Sequence, residues 1–484
     1  MTTAELRVAA VGALAQRLSP RYLEEHCLVP VAISDAGALV VAAAAPPDPT
    51  VIDELAWLYE RPVTIVDAPA EDIQAAVMSA QSESAAEVKA SDSLIVLSDE
   101  EEHIDDLRAL ASQAPVIKLV NLLILEALRA RASDVHLESD TDGLQVRYRI
   151  DGVLHEISHP PRQFQAAVLS RIKIMAGLNI AERRLAQDGR IRLRLSDREL
   201  DLRVSITPAL HGESVVLRIL DRGAGVRDLA TLGMPEAVLA GFERLVQQPH
   251  GIILVTGPTG SGKTTTLYGA LDRLNQPSVK IVTIEDPVEY QMKRATQIPV
   301  NPKIGLTFAA ALRSILRHDP DIIMVGEMRD RETAEIAIQA ALTGHLVLST
   351  LHTNDAPSGV TRMVDMGIEP YLVSATVLGI VAQRLVRMVC DACAVEMPDG
   401  FRRGQGCDTC AGTGYRGRTG LYELMPLSET LRDRIVKQAS LAELRAVAQA
   451  EGMRSLRDAG WDKAKKGLTT AEEILRLTRD EVYE

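Results

Sequence analysis

The pattern of apolar and polar residues changes along the chain and divides it into segments of different predicted structure. Residues 1–80 mix helical periodicity with short apolar runs, which predicts a small α/β domain. Residues 81–104 are polar and acidic except for one apolar stretch at 94–97. Such a composition favours a flexible linker, and a solvated helix packed on a neighbour is the alternative. A helical segment followed by hairpin-like strand patterns then predicts an α+β domain over residues 105–225.

A different rhythm begins near residue 226 and continues through the second half of the chain. Four apolar strand patterns alternate with helical patterns there, at residues 251–256, 279–284, 321–326 and 345–350. This alternation predicts a parallel sheet with covering helices, and so an α/β fold class for the core. The segments that we expect are a core at 226–388, a cysteine-rich insertion at 389–415 and a helical C-terminal part at 416–484.

The first of these strand patterns runs directly into a glycine-rich loop, Gly-Pro-Thr-Gly-Ser-Gly-Lys-Thr, at residues 257–264. Glycines let the backbone approach a phosphate without a Cβ in the way, and the N-terminus of the following helix binds the anion. We expect Lys263 to reach the β- and γ-phosphates and the Thr264 hydroxyl to ligate Mg²⁺. A glycine turn that binds nothing is the alternative, which the strand–loop–helix context disfavours. The predicted nucleotide-binding residues are Gly257, Pro258, Thr259, Gly260, Ser261, Gly262, Lys263, Thr264 and Thr265.

Charged side chains follow three of the predicted strands. Glu327 comes just after the apolar run 321–326, and this Walker-B-like position predicts a catalytic carboxylate. A surface glutamate at a helix start is the alternative. Glu285 and Asp286 end the strand at 279–284 and can place further carboxylates near a metal–triphosphate. His345 and His352 flank the last strand; such histidines are more often structural, but a strand-end histidine beside a phosphate loop could sense the γ-phosphate.

Four of the five cysteines form two pairs, Cys390-x-x-Cys393 and Cys407-x-x-Cys410, separated by thirteen residues. Four thiolates complete the tetrahedral shell of Zn²⁺, so this spacing predicts a structural zinc site. Two disulfides and a redox pair are the alternatives. A reducing compartment disfavours the disulfides, and the absence of a thioredoxin-like context disfavours the redox pair.

The overall composition restricts the partners of the chain. Its 484 residues carry a net charge of −13, which argues against non-specific nucleic-acid binding. No apolar run approaches the roughly 18 residues of a membrane span, and the N-terminus lacks the pattern of a signal peptide. We therefore expect a cytoplasmic protein that reaches a membrane only through partners.

Taken together, four blocks of sequence resemble the ATPase superfamily of type II secretion machines and type IV pili. These blocks are residues 257–264, 284–289, 322–327 and 344–354, which correspond to its Walker A, Asp, Walker B and His boxes. The four cysteines are similar to those of its assembly and secretion branch, and the length and N-terminal segment are most like the type II secretion ATPases of the GspE family. The resemblance implies a RecA-like ATPase core preceded by a PAS-like α+β domain, with ATP, Mg²⁺ and Zn²⁺ as cofactors.

The same resemblance implies roles for four arginines. In this superfamily the domain before the phosphate loop supplies arginines to the triphosphate, and the matching positions are Arg203 and Arg218. A guanidinium there neutralises charge that develops in the transition state. Arg313 and Arg317, spaced four apart in a helical pattern, are further candidates. For each of the four, a solvated ion pair is the alternative.

The resemblance therefore implies a homo-hexamer that hydrolyses ATP to power pseudopilus assembly and protein export. Its expected partners are an inner-membrane platform protein and the cytoplasmic region of an inner-membrane secretion protein, bound through residues 1–80. A type IV pilus assembly ATPase is the alternative within the superfamily. A nucleic-acid translocase and a kinase are alternatives of other classes; the net charge and the 3% aromatic content disfavour the first, and no substrate-recognition motif supports the second.

Overall fold

A computed structural model describes most of the chain. The described residues are 26–34, 37–59, 61–70, 94–96, 114–195, 198–221, 227–398 and 400–478, with single positions at 14, 23, 72, 73 and 225. The chain forms two compact units that divide near residue 95, and each is described by itself.

The N-terminal unit contains a small sheet and one helix. Its elements are the strands β1 (Leu28–Ile33), β2 (Leu39–Ala43) and β3 (Val63–Asp67) and the helix α1 (Pro49–Tyr59). β2 pairs antiparallel with β1 and parallel with β3. Buried Leu39, Val41 and Leu55 form its core. These elements agree with the predicted α/β character, and most of residues 1–25 and 74–80 lie outside the described residues.

Little of the predicted linker at 81–104 falls within the described residues. A short strand, β4 (Leu94–Val96), coincides with its one apolar stretch. The remainder of the linker prediction is untested.

The second unit opens with an antiparallel sheet and two helices. Its elements are α2 (Ala114–Arg129), β5 (Ala132–Ser139), β6 (Leu144–Ile150), β7 (Val153–Ser158), α3 (Arg162–Met175), β8 (Gln187–Leu195), β9 (Arg198–Ala209) and β10 (Gly212–Asp221). From β8 the strand order is β8-β9-β10-β5-β6-β7. Buried Tyr148 on β6 donates a hydrogen bond to the Leu123 carbonyl of α2 at 2.7 Å. This arrangement confirms the predicted α+β region.

A second, larger sheet forms the core of the unit. Its strands are β11 (Gly251–Thr256), β12 (Ile281–Glu285), β13 (Ala295–Pro299), β14 (Ile322–Val325), β15 (Leu346–Leu351), β16 (Val377–Val389) and β19 (Tyr415–Pro426). They lie in the order β13-β12-β14-β15-β11-β16-β19. All pairs are parallel except that of β16 with β19. The four predicted parallel strands are confirmed.

The C-terminal part departs from the prediction. The sequence predicts helices from 416 onward, but the chain first forms β19, which pairs with β16 at the edge of the core sheet. Polar residues interrupt both strands, so their alternation does not stand out in the sequence. Between them, the short strands β17 (Ala394–Glu396) and β18 (Arg402–Gly404) form a hairpin that carries the cysteines.

Helices cover both faces of the core sheet. They are α4 (Glu236–Val246), α5 (Lys263–Leu274), α6 (Phe308–Ile315), α7 (Arg331–Leu342), α8 (Pro357–Asp365), α9 (Pro370–Thr376), α10 (Glu429–Val436), α11 (Leu441–Ala450), α12 (Leu456–Lys465) and α13 (Ala471–Leu477). Ile252 and Leu254 of β11 join one apolar core, and Ile253 and Val255 join another. This alternation shows that the strand is buried on both faces.

None of the described helices combines the length and apolar character needed to cross a bilayer.

Candidate functional site

The glycine-rich loop joins the carboxyl end of β11 to the start of α5. Gly257 and Gly260 have positive φ values of 146° and 77°. A Cβ on Gly257 would lie 2.3 Å from the Gln383 carbonyl oxygen, so that position has no room for a side chain. Gly260 faces open space and needs glycine for its left-handed backbone alone. Lys263 folds back over the loop and donates to the carbonyls of Gly257 (2.8 Å) and Pro258 (3.1 Å).

Three features of this loop suit a phosphate group. No side chain caps the N-terminus of α5 at Gly262, so its first N–H groups remain available. Among the described residues, the buried Ser261 hydroxyl has no hydrogen-bond partner. Burial lowers the pKa of Lys263 to about 8, against the opposing charge of Glu327. An anion next to this ammonium would stabilise its charged form, and Thr264, in the first turn of α5, would hold Mg²⁺.

Glu327 lies just beyond β14, at the same edge of the sheet as the phosphate loop. Its side chain is 14% exposed, pairs with Arg329, and lies 3.4 Å from the Nε2 of His352. His352 follows β15, whose carboxyl end is adjacent to those of β14 and β11. The structure thus brings Lys263, Glu327 and His352 to the same edge of the sheet.

His345 does not reach this site. It precedes β15, in line with Gly251 at the start of β11, and therefore lies at the opposite edge of the sheet. Six residues of strand at about 3.3 Å each separate the two edges by roughly 20 Å. Its Nδ1 donates to the Ala340 carbonyl at 2.8 Å, so the structural alternative is the correct one.

The acids after β12 differ in their surroundings. Glu285 is buried and accepts hydrogen bonds from Tyr268 and Thr283, each at 2.6 Å. Asp286 is exposed, and its charge acts on Arg329, the partner of Glu327. Glu289 lies four residues beyond β12. Its overall surface is exposed to solvent, but the protein atoms around its carboxylate desolvate that group and raise its pKa. Arg203 and Arg218 oppose that shift, so they lie within electrostatic reach of Glu289.

The two arginines of the preceding domain are neighbours. Arg203 on β9 and Arg218 on β10 are directly paired in register, and the charges of both act on Glu289 of their own chain. The Nε of Arg218 donates to Asp134 at 2.9 Å, and its side chain is 56% exposed. Desolvation lowers the pKa of Arg203, which is partly buried.

The second arginine pair is arranged differently from the prediction. Arg313 lies on α6 and forms an exposed ion pair with Glu332 at 2.5 Å. The helix ends at Ile315, so Arg317 lies in the following turn and not on the same helix face. Its guanidinium donates to the Arg313 carbonyl at 2.9 Å. The contact of Arg313 matches the ion-pair alternative, whereas the contact of Arg317 is with a backbone carbonyl.

Three residues near the loop were missed by the sequence reasoning. Gln383 of β16 is buried, accepts a hydrogen bond from Thr266 of α5 at 2.7 Å, and lies against Gly257. A polar residue inside an apolar strand is the signal that could have indicated it. For Arg329 and Glu289 the sequence gives no such signal. The fold shows that Arg329 pairs with Glu327 and that the charges of the two arginines act on Glu289.

The four cysteines of the insertion converge on one point. All their Sγ atoms lie within 4.8 Å of one another, with distances of 4.0 Å for Cys390–Cys407 and 3.8 Å for both Cys393–Cys410 and Cys407–Cys410. Zn–S bonds of about 2.3 Å in a tetrahedron require edges of about 3.8 Å. The cluster therefore fits Zn²⁺, and the four thiols are too far apart to be disulfides.

Backbone groups favour the thiolate of Cys410, whereas burial raises the pKa of Cys393 to about 11. Burial opposes the charge, but the N–H groups of Cys407 and Gly414, each 3.2 Å from the Cys410 sulfur, lower the pKa of Cys410 to about 6. Gly404 and Gly414 bring two chain segments into contact, since a Cβ on Gly404 would lie 2.0 Å from the Gly414 carbonyl oxygen. The cysteine insertion can close around a metal only if glycine occupies this point of close approach.

Comparison with known proteins agrees with this architecture. The model of the Type II/IV secretion system protein family matches residues 109–476, and that of the MshEN domain matches residues 5–87. Type II secretion system protein HxcR of Pseudomonas aeruginosa is 54% identical over 384 residues, which are 79% of this chain and 82% of that protein. Type II secretion system ATPase E of Vibrio cholerae is 47% identical over 406 residues, 81% and 80% of the two chains.

A pilus protein and a solved structure are also similar. Type IV pilus assembly ATPase PilB of Myxococcus xanthus is 45% identical over 481 residues, 94% of this chain and 85% of that protein. The crystal structure of the pilus retraction motor PilT with bound ADP is 30% identical, with a TM-score of 0.55, and covers 76% of this chain and 98% of its own. With a family model spanning most of its length and relatives near half identity, the chain belongs to the type II/IV secretion system protein family.

Proposed function

We propose that this protein is the ATPase of a type II secretion system, which hydrolyses ATP on the phosphate loop 257–264. The observation that carries the proposal is the meeting of Lys263 and Glu327 at one edge of the sheet, close enough for the glutamate charge to act on the ammonium. A buried cation beside an uncapped helix N-terminus binds phosphate, and a strand-end carboxylate can orient the attacking water. The family membership and the similarity to secretion ATPases support the same assignment.

Each residue near the loop has a defined task in this proposal. Lys263 and the N–H groups of α5 hold the β- and γ-phosphates, and Glu327 accepts a hydrogen bond from water and aligns it. Arg203 and Arg218 approach from the preceding domain and neutralise the charge that develops on the transferred group. Mg²⁺ bound at Thr264 would supply further neutralisation. His352, beside Glu327, orients that carboxylate.

The proposal includes the assembly in which the enzyme works. We propose a homo-hexamer at the cytoplasmic face of the inner membrane, where it acts on a platform protein. Residues 1–80 recruit it by binding the cytoplasmic region of an inner-membrane secretion protein. The separate domain match at 5–87 and the separate compact unit support an independent task for this segment.

Phosphate release from MgATP by the purified full-length protein tests the enzymatic part. Addition of acidic lipid with the cytoplasmic fragment of an inner-membrane secretion protein should raise the rate, and addition of DNA should not. Stimulation by DNA alone would favour a nucleic-acid translocase. No MgATP-dependent release under any of these conditions would overturn the proposal.

A type IV pilus assembly ATPase is the second candidate, favoured by the relative that aligns over 94% of this chain. Deletion of the gene in its host separates the two functions. Loss of exported proteins with intact surface pili supports the secretion assignment. Loss of pili with normal export supports the alternative.

A further inference from the structure

Glu285 lies in the candidate site, but its carboxylate is fully engaged by the protein. The residue is 3% exposed. Its oxygens accept hydrogen bonds from the Tyr268 hydroxyl (2.6 Å), the Thr283 hydroxyl (2.6 Å) and the Gln297 amide nitrogen (3.2 Å). These donors come from α5, β12 and β13 respectively. A carboxylate held in this way is poorly placed to act on water or metal, in contrast to its predicted catalytic role.

The same donors continue to the segment after β12. The Tyr268 hydroxyl and the Gln297 amide nitrogen lie 3.0 and 2.9 Å from the Tyr290 carbonyl oxygen, and they lie 3.0 Å from each other. The Gln297 amide oxygen accepts from the Met292 N–H at 2.8 Å. The rings of Tyr268 and Tyr290 pack edge to face with centroids 5.4 Å apart. The network thus joins the phosphate-loop helix to the backbone at residues 290–292.

The segment held by this network carries two exposed acids. The charge of Asp286 acts on Arg329, which pairs with Glu327. Glu289 lies next to Tyr290 and within electrostatic reach of Arg203 and Arg218. A shift of the Tyr290 backbone would therefore move Glu289 relative to the arginines of the preceding domain.

We propose that Tyr268, Glu285 and Gln297 form a positioning network that couples the phosphate-loop helix to the segment 286–290 and holds Glu289 toward Arg203 and Arg218. This inference rests on the proposed hydrolysis of ATP. Hydrogen bonds to a buried carboxylate are stronger than neutral ones and resist deformation. Because misplacement of reacting groups by about 1 Å can cost about 100-fold in rate, a fixed backbone here matters for turnover.

The first test removes one hydroxyl. Tyr268→Phe should lower kcat about tenfold through loss of alignment, while the Kd of a fluorescent ADP analogue stays within about twofold. Tyr148→Phe is the matched control, because Tyr148 is as deeply buried and its hydroxyl also donates to a protein oxygen, the Leu123 carbonyl. It should lower the thermal midpoint comparably and leave kcat unchanged. If the wild-type protein is active and Tyr268→Phe has the same kcat, the proposed network is wrong, and the proposed hydrolysis of ATP is unaffected.

The second test separates positioning from direct catalysis. Glu285→Gln keeps an acceptor for Thr283 and Gln297 and can donate to the Tyr268 oxygen, so it should retain kcat within about threefold, whereas loss of a general base costs about 100-fold or more. Glu285→Leu, which breaks every bond, should lower kcat as Tyr268→Phe does or further. If Glu285→Gln abolishes hydrolysis as completely as Glu327→Gln, the carboxylate acts in the chemistry and the proposal is wrong.

A double-mutant cycle tests the link to Glu289. If Tyr268 acts through Glu289, then Tyr268→Phe should lower kcat no further in a Glu289→Gln background. Multiplicative losses would show that the two residues act independently and would overturn the coupling. Absence of hydrolysis by the wild-type protein is a different outcome, since it overturns the proposed function and the network's role together.

Discussion

At the scale of single residues, Lys263 and Glu327 contribute opposite charges to the proposed site, and their replacement should impair the protein in different ways. Lys263→Ala removes the cation that binds phosphate, so both nucleotide affinity and turnover should fall. Glu327→Gln keeps the shape and removes the charge, so binding should remain and turnover should fall by at least about 100-fold. Phosphate release and binding of a fluorescent nucleotide measure the two effects.

The matched control for the glutamate is Glu335→Gln, in an exposed ion pair with Arg331 on α7. It should leave both quantities unchanged. Wild-type turnover in Glu327→Gln would remove that residue from the mechanism and point to Asp286 or Glu289.

The lowered pKa of Lys263 predicts a pH dependence of nucleotide binding. Its side-chain amine is mostly protonated and charged below about pH 8, and mostly neutral above it. Phosphate requires the charged form, so binding above pH 8 must take up a proton, and affinity should fall by up to about tenfold per pH unit. Calorimetry in buffers of different ionisation enthalpy measures that uptake. Lys263→Arg should show none, and uptake that persists in this variant would assign the proton to another group.

At the scale of elements, the carboxyl ends of β11, β14 and β15 could be placed together from the sequence, because apolar strand patterns that alternate with helices form parallel sheets. The same reasoning excludes His345: a residue before a parallel strand lies at the other edge from a phosphate loop that follows one. The sequence places a histidine at each end of β15, but only the histidine at the carboxyl end lies beside the phosphate loop. By contrast, the sequence does not distinguish a strand-end acid that faces a ligand from one that is hydrogen-bonded within the protein. The hydrogen bonds of Glu285 become evident only from the fold, which brings Tyr268 and Gln297 to its carboxylate.

The edge strands were harder to predict for a different reason. β16 and β19 pair with each other, but the cysteine insertion separates them in sequence, and polar residues such as Gln383 and Arg387 interrupt their apolar patterns. Gln383 is polar because it binds the phosphate-loop helix, and Arg387 because it pairs with buried Glu473 of α13. The positions that obscure the strand are those that hold other elements to it.

The insertion itself should depend on metal for its structure. We expect about one zinc per chain in protein purified without chelators, bound by Cys390, Cys393, Cys407 and Cys410. Cys407→Ser should lose the metal and expose residues 389–415 to amide exchange without changing nucleotide affinity, because four-thiolate sites are structural. Cys27→Ser, outside the cluster, should retain the zinc. Metal analysis that finds no zinc in the wild-type protein would contradict this prediction.

At the scale of the whole molecule, the antiparallel domain must meet the ATPase core for its arginines to act. Arg203→Ala and Arg218→Ala should lower turnover much more than nucleotide affinity, because a guanidinium near the γ-phosphate acts mainly on developing charge. Arg194→Ala, in an exposed ion pair on β8, is the control and should change neither. Turnover per chain, measured over a range of protein concentrations, should rise as the proposed hexameric ring assembles. The two variants should show a smaller rise. A monomer whose specific activity is high and independent of protein concentration would contradict the proposed hexamer.

The largest-scale prediction concerns how the enzyme reaches its place of work. The described residues of the N-terminal unit have their own apolar core, which includes Leu39 and Leu55. Residues 1–80 contain none of the proposed site residues, which suits a recruitment domain. Their deletion should therefore leave basal ATP hydrolysis largely intact and abolish membrane association and secretion in the host.

The full-length Lys263→Ala protein is the complementary control for that deletion, because it should still associate with the membrane while failing to support secretion. Recruitment and hydrolysis would then fail separately, as expected when two compact units carry the two tasks. Fractionation of host membranes and assay of exported proteins distinguish the cases. If the truncated protein still reaches the membrane and supports secretion, the docking surface lies within residues 105–484, and residues 1–80 have another role, such as capping the ring.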